Sequence, residues 1–353
     1  MKFAVFLIAV APLFAASRIV APFDTDWRFT KSDPTDAQAP AAPDAAWRSV
    51  TLPHDWGIEG PFDEKNPSGG AGAFLPAGVG WYRKHFALPA AYADHRVYVE
   101  FDGVMANSEV WINGVSLGER PCGYVSFRYE LPDHLAKGDN VLAVRADNSR
   151  QPASRWFPGA GINRHVRLIA TDPVHLEQWA TFVSTPKVSA AEATVKVSTS
   201  VVNRSKQQRT VSVEFTLIGQ NVQTNPQSVA PGKSTEFDAE TVVQHAKLWG
   251  LEPPQMMYYV TATIREGQKV LDGESVPFGV REARFDADTG FWLNGKNLKI
   301  KGVCLHADGG AVGTAVPFGV WERRLGALEK LGVNAIRLAH NPVNGRDTTH
   351  HSA

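Results

Sequence analysis

The sequence is short of cysteine, and it carries no excess of either charge. Its 353 residues include two cysteines, Cys122 and Cys304, which we assign to different domains, so we expect two separate thiols and no disulfide. Lysine and arginine total 36, as do aspartate and glutamate, and this balance argues against nucleic acid or a membrane surface as the main partner. With 43% hydrophobic residues, the chain can form the cores of two or three domains.

An apolar run long enough to span a bilayer is also missing. The apolar run at the amino terminus covers residues 3–14 and is too short to cross a membrane as a stable helix. Lys2 precedes it and the small residues 15–17 follow it, which is the pattern of a signal peptide. The sequence therefore predicts export to the periplasm or the extracellular space, with a mature chain that starts near Arg18 and is not membrane-bound. The alternative interpretation is a buried amino-terminal strand.

Residues 18–172 have the pattern of an all-β domain. Val97, Val99 and Phe101 alternate with polar neighbours, which predicts a strand with one buried and one wet face. Asn113-Gly114 favours a tight hairpin turn, because both residues tolerate positive φ. Further predicted strands cover residues 109–112, 140–145 and 165–170. Short strands at this spacing are typical of a sandwich. The glycine-rich residues 67–80 are predicted to be a loop.

A second β domain is predicted for residues 173–278. Apolar residues at 211, 213, 215 and 217 alternate with polar ones, so each strand should bury one face. The length suits an immunoglobulin-like sandwich, and no catalytic group of residues occurs in it. We interpret this domain as a spacer that supports the next one.

Residues 279–345 predict one βαβ unit, followed by a polar tail at 346–353. A strand over 299–305 ends at His306 and Asp308, a helix of about three turns starts near Val320, and a strand over 334–339 ends at His340 and Asn341. In a (β/α)₈ barrel the active site lies at the carboxyl ends of the strands, so both histidines should face one pocket. A barrel needs about 250 residues, and only about 70 follow residue 281.

Seven segments together resemble glycoside hydrolase family 2, the family of β-galactosidases, β-glucuronidases and β-mannosidases. In chain order they are LPHDW at 52–56, GVGWYRKHF at 78–86, FDGVMANSEVWINGVSLGE at 101–119, SRWFPGAGINRHV at 154–166, LWGLEPP at 248–254, LNGKNLKIKGVCLHAD at 293–308 and NAIRLAHNP at 334–342. The resemblance implies a mainly β chain. It consists of a jelly-roll domain of the sugar-binding type, an immunoglobulin-like sandwich and the first βαβ unit of a TIM barrel.

The resemblance also implies an activity and a set of site residues. The family hydrolyses terminal β-glycosides with retention, and the glycine-rich loop favours the β-galactosidase branch. His306 and His340 match histidines that contact sugar hydroxyls, and Asp308 and Asn341 match neighbouring positions more loosely. Arg337 matches an arginine that supports the nucleophilic glutamate. The family's two catalytic glutamates lie on later barrel strands that this sequence does not contain, so we expect the 353-residue chain to be inactive.

Four residues of the first domain bear on how closely the chain follows the family. Asn66 loosely matches an asparagine that reaches the sugar in well-known β-galactosidases, but Ser154 stands where those enzymes have an aspartate. Arg155 and Trp156 match a motif that we expect to pack the first domain on the barrel.

Several alternatives remain open at this point. The substrate could be a glucuronide or mannoside, or the two β domains could form a non-catalytic carbohydrate-binding module. His306, Asp308 and His340 could instead hold a divalent metal ion. No cofactor is otherwise expected, apart from a divalent cation in a full-length enzyme. The expected partner is a β-galactoside or oligosaccharide, with homo-oligomers of the full-length form left open.

Overall fold

The computed structural model describes residues 18–131, 135–136, 138–252 and 255–339. The predicted signal peptide, the predicted site residues His340 and Asn341, and the tail at 346–353 lie outside the described residues. The described chain is mainly β, and its sheets fall into the predicted order of a sandwich, a second sandwich and the start of a parallel α/β unit.

Ten strands form the first sandwich: β1 (Ile19–Pro22), β2 (Trp27–Thr30), β3 (Arg48–Val50), β4 (Val79–Phe86), β5 (Arg96–Phe101), β6 (Ser108–Ile112), β7 (Val115–Arg120), β8 (Phe127–Glu130), β9 (Asn140–Asp147) and β10 (Val166–Thr171). One sheet has the order β1-β10-β5-β8 and the other β3-β2-β4-β9-β6-β7. Trp27, Tyr82 and Phe101 lie in the core between them and are fully buried. Burying side chains of this size supplies the main stabilisation of such a sandwich.

The predicted hairpin between β6 and β7 is confirmed. Asn113 and Gly114 have φ values of 50° and 83°, which places both in the left-handed region that a tight hairpin needs. The side chain of Asn113 also accepts a hydrogen bond from the Val141 N–H at 2.9 Å, so the turn is tied to the neighbouring strand β9.

The prediction of a wet face on the strand around residues 97–101 is wrong. Tyr98 and Glu100 are 5% and 1% exposed, respectively, although their positions alternate with the apolar ones. The Tyr98 hydroxyl bonds Nε2 of His175 at 3.0 Å, and Gln178 donates to Glu100 at 2.7 Å. The polar face is therefore dry because the segment that leads into the second sandwich covers it.

Nine strands form the second sandwich: β11 (Val174–Leu176), β12 (Phe182–Val188), β13 (Glu192–Asn203), β14 (Arg209–Leu217), β15 (Gln220–Gln223), β16 (Gln227–Val229), β17 (Ser234–Gln244), β18 (Tyr258–Glu266) and β19 (Lys269–Phe278). In one sheet β13 pairs with β11, β12 and β17. In the other sheet β14 pairs with β15, β16 and β18, and β18 also pairs with β19. The alternating residues Val211, Val213, Phe215 and Leu217 lie in the core, as predicted.

The last described part contains β20 (Ala283–Asp286), β21 (Gly290–Leu293), β22 (Lys296–Asn297), β23 (Gly302–Leu305), helix α1 (Phe318–Lys330) and β24 (Ala335–Leu338). β23 and β24 pair in parallel, with Gly302 opposite Ala335 and Leu305 opposite Leu338, which confirms the βαβ unit. Gly332 follows the helix with φ 74°, a conformation that commonly ends a helix. None of the helices in the described ranges is long and apolar enough to cross a membrane.

Candidate active site

The carboxyl end of β23 presents His306 and Asp308, as the sequence predicts for a barrel strand. Parallel pairing with β24 makes both strands end at the same edge, where the Ala339 N–H donates to the Leu305 carbonyl at 3.0 Å. His340 and Asn341 are the next predicted site residues along the chain, and they lie outside the described part. The described half of the predicted pocket therefore consists of His306, Asp308 and Arg337.

Arg337 lies on β24 directly opposite Cys304 of β23. Its Nη1 contacts Sγ of Cys304 at 3.6 Å, and no ion pair of Arg337 occurs among the described residues. Both cysteines are free and exposed, which confirms two separate thiols. A guanidinium at the edge of the strand pair can hold a carboxylate, which is the role that the family resemblance gives it.

Asp308 shapes the loop that follows the strand. Its carboxylate accepts a hydrogen bond from the Gly310 N–H at 3.1 Å, and its backbone carbonyl accepts one from the Arg324 guanidinium of α1. These contacts hold the loop against the helix, so His306 lies on a braced segment.

Trp156 of the first sandwich lies against His306. The two ring centroids are 6.2 Å apart at an interplanar angle of 60°, and the indole Nε1 of Trp156 donates to the Tyr124 hydroxyl at 3.2 Å. This contact confirms the expected packing of Trp156 between the first domain and the barrel. One wall beside the predicted sugar-binding histidine therefore comes from another domain.

A buried carboxylate, Asp55, joins the same two parts of the chain. It is 3% exposed and accepts four hydrogen bonds, two of them from the backbone N–H groups of Gly57 and Ala160, each at 3.0 Å. The other two come from the N–H and the hydroxyl of Thr314, at 2.8 and 2.9 Å. Burial raises the pKa of this carboxyl, although its hydrogen bonds act in the opposite direction. In the sequence Asp55 stands out only as part of the LPHDW motif, and no local pattern indicates its contact with Thr314.

The side chain of Asn66 forms its hydrogen bonds within its own loop. Its side-chain amide donates to the carbonyls of Pro61 and Phe74, at 3.2 and 2.8 Å, and the Ser68 hydroxyl donates to Leu75 at 2.7 Å. These bonds give the glycine-rich loop a defined shape, so the Asn66 amide acts here as a brace.

The described residues include no group of three or more histidine, cysteine, aspartate or glutamate side chains that could hold a metal ion. The alternative metal site also requires His340, which lies outside the described part. The described part of the chain therefore does not contain all three of the proposed metal ligands.

Three family models match consecutive parts of the chain. "Glycosyl hydrolases family 2, sugar binding domain" matches residues 21–172, "Glycosyl hydrolases family 2" matches 174–281, and "Glycosyl hydrolases family 2, TIM barrel domain" matches 287–348. The three matches follow the order of the two sandwiches and the βαβ unit.

Curated relatives match this chain over most of its length. A β-galactosidase from Bacteroides ovatus, BoGH2A, is 43% identical over 339 residues, which are 93% of this chain and 40% of that protein. A putative β-glucuronidase from Formosa agariphila is 36% identical over 326 residues, which are 92% of this chain and 31% of that protein. The chain thus spans well under half the length of these relatives.

Solved structures agree with this arrangement. A glycosyl hydrolase family 2 member from Bacteroides cellulosilyticus superposes with a TM-score of 0.86 at 34% identity, covering 92% of this chain and 43% of that one. The β-glucuronidase 2 of Bacteroides uniformis superposes with a TM-score of 0.85 at 28% identity, covering 95% and 41%.

Proposed function

Because this chain belongs to glycosyl hydrolase family 2, we propose that it is the amino-terminal part of an exported, retaining hydrolase of terminal β-D-galactosides. The observation that carries the proposal is the parallel pair of β23 and β24, with His306 at its carboxyl edge and Trp156 beside it. The 43% identity to a β-galactosidase supports the choice of galactoside.

The described residues can bind and orient a sugar. The imidazole of His306 and the carboxylate of Asp308 offer donors and acceptors to sugar hydroxyls. Retaining hydrolysis requires two carboxyl groups about 5 Å apart, one that protonates the leaving oxygen and one that attacks the anomeric carbon. We infer that both belong to later barrel strands, so the 353-residue chain should bind a sugar without catalysing turnover.

The proposal is tested on two proteins. The protein encoded by the DNA continued beyond codon 342 should hydrolyse p-nitrophenyl β-D-galactoside, and its His306→Ala variant should have a raised KM. The 353-residue chain, purified from a host without glycosidases, should give no turnover. Turnover by the short chain, or no further barrel strands in any reading frame of the DNA, would overturn the proposal.

A β-glucuronidase is the second candidate, since a Formosa relative and the Bacteroides uniformis structure carry that name. A glucuronide has a C6 carboxylate where a galactoside has a hydroxymethyl group, and the two sugars also differ in configuration at C4. The carboxylate favours a pocket with a cationic partner. Assays with p-nitrophenyl β-D-galactoside and β-D-glucuronide on the full-length protein separate the two candidates.

Export is part of the proposal. The guanidinium of Arg18 bonds Asp272 of the second sandwich, at 3.0 and 2.7 Å, so a mature chain that begins at Arg18 keeps this contact. Mass spectrometry of exported protein should give an amino terminus near Arg18. Oligosaccharide binding stays a prediction that titration calorimetry can check. A homo-oligomer of the full-length form stays a prediction that light scattering can check.

A further inference from the structure

We propose that Asp55 is the positioning residue through which the first sandwich holds the barrel loop 306–314, and with it His306, in place. The importance of that loop for sugar binding rests on the proposed function, whereas the contact itself does not. Asp55 and Thr314 are 259 positions apart in sequence and belong to different domains, yet both are buried, at 3% and 7% exposure.

The four donors around Asp55 come from three separate segments. The N–H groups of Gly57 and Ala160 bind Oδ1, and the N–H and hydroxyl of Thr314 bind Oδ2. Asn163 adds a hydrogen bond to the Thr314 hydroxyl at 3.0 Å. One carboxyl oxygen thus serves the first sandwich and the other serves the barrel loop.

No lysine or arginine of the described chain forms an ion pair with Asp55, so its charge is met by directional donors alone. Hydrogen bonds to a charged group are stronger than those between neutral groups and require good geometry. Three of these donors are backbone N–H groups, which cannot reorient without moving the chain. The contact therefore specifies where the loop sits as well as how tightly it is held.

Two glycines leave no slack at this contact. A Cβ on Gly313 would lie 2.4 Å from Oδ2 of Asp55, and a Cβ on Gly159 would lie 1.9 Å from Oγ1 of Thr314. Both distances are far below van der Waals contact. The close approach of the two domains here requires residues without side chains.

Hydrogen bonds within the loop connect Thr314 to the segment that carries His306. Gly309 donates to the Gly313 carbonyl at 2.6 Å, and Gly313 donates to the Gly310 carbonyl at 2.9 Å, so residues 309–313 form a closed turn. Asp308 caps the same turn through the Gly310 N–H. With Thr314 held by Asp55 at one end and His306 packed against Trp156 at the other, the loop is fixed at both ends.

Hydrogen exchange of the 353-residue chain, read on peptides within residues 302–316, tests the proposal without any sugar. Thr314→Val keeps the shape and the backbone N–H but removes the hydroxyl, and exchange should become about tenfold faster, equivalent to about 1.4 kcal/mol. Thr314→Ser keeps the hydroxyl and should restore exchange to within about twofold of the unaltered chain.

A double-mutant cycle supplies the second readout. Asp55→Asn removes the charge and turns an NH₂ group toward one of the two pairs of donors, so it should speed exchange more than Thr314→Val does. The double variant should be no faster than Asp55→Asn alone, because both changes break the same contact.

Four results would overturn the proposal. The first three are unchanged exchange in Thr314→Val, equal effects of valine and serine at 314, and additive effects in the cycle. Faster exchange of β4 and β9 in Thr314→Val to the same degree as in the loop would likewise contradict it, since that pattern indicates general destabilisation. An inactive or glucuronide-specific full-length enzyme would count against the proposed function and leave this result unchanged.

Discussion

Two buried aspartates join the first sandwich to its neighbours, and they are stabilised in opposite ways. Asp272, in the second sandwich, is fully buried and faces the guanidinium of Arg18 at 2.7 Å. Asp55 faces the barrel loop and is surrounded by neutral donors. One carboxylate is neutralised by a cation and the other is solvated by the protein itself.

The difference shows in how each interface responds to change. Burial disfavours the charge of Arg18, but Asp272, together with Glu274 and Glu100, outweighs that cost and raises the pKa of the guanidinium. At Asp55 burial outweighs the hydrogen bonds and raises the pKa of the carboxyl. The ion pair should therefore fail when its charge is removed, and the donor cluster should fail when its geometry is disturbed.

Removing the charge of Asp272 should have the largest effect. Asp272→Asn keeps the shape but removes the nearer of the two carboxylates that Arg18 pairs with, and leaves it only Glu274 at 3.8 Å. The loss of one member of a buried pair costs about 3–5 kcal/mol. Urea unfolding of the two sandwiches measures this loss. A change below about 1 kcal/mol would show that Asp272 does not depend on the charge of Arg18.

Acid should weaken the same interface through His175. This imidazole is fully buried, donates from Nδ1 to the Asp172 carbonyl, and bonds the Tyr98 hydroxyl. Burial lowers its pKa to about 4. Since an unfolded histidine has a pKa of about 6.5, the unfolded chain binds the extra proton between these values.

The stability that neutral His175 confers should thus be present above pH 6.5 and lost as the pH falls toward 4, by about 3 kcal/mol in all. His175→Gln should be less stable at pH 7 and lack this slope. Asp55 should act with the opposite sign, because a raised carboxyl pKa makes protonation favour the folded state. Unfolding curves at several pH values measure both.

A geometric change at the barrel interface should have an intermediate effect. Gly313 and Gly310 have similar φ values, 60° and 70°, but a Cβ would strike Asp55 only at Gly313. Gly310→Ala should cost about 1 kcal/mol from backbone strain, and Gly313→Ala about 1–3 kcal/mol more. Limited proteolysis near residues 300–316 compares the two variants. Equal cleavage rates would contradict the close approach of Gly313 to Asp55.

The smallest effect is expected where charges meet in solvent. Lys196 pairs with Glu240 at 2.9 Å, with side chains 57% and 53% exposed. Lys196→Met should change stability by less than about 0.5 kcal/mol. Thermal unfolding of Lys196→Met and Asp272→Asn, measured side by side, compares the stability lost at an exposed and at a buried ion pair. A much larger loss at Asp272 would show that burial determines how much an ion pair contributes.

Local features of the fold were predictable from the sequence. The Asn113-Gly114 turn, the alternating strand at 211–217 and the βαβ unit each depend on neighbours within a few residues or on a single helix. Parallel pairing of β23 with β24 follows from that unit, because a helical crossover places the two strands side by side.

Contacts between domains were not predictable in this way. Tyr98 and Glu100 have the pattern of a wet face, and only the covering segment at His175 and Gln178 makes that face dry. Asp55 gives no local signal of its partner, since Thr314 lies 259 positions away. Hydrophobic periodicity indicates local secondary structure, and it does not indicate which residues meet when whole domains pack together.

The Arg18–Asp272 pair also sets an order of events during synthesis. The two residues are 254 positions apart, so Arg18 leaves the ribosome long before its partner exists. Strand β1 can pair with β10 only after residues 166–171 have been made, and Arg18, the residue before β1, stays without Asp272 until nearly all of the second sandwich has been made. The amino terminus, the first part of the folded chain to be synthesised, is among the last to be secured.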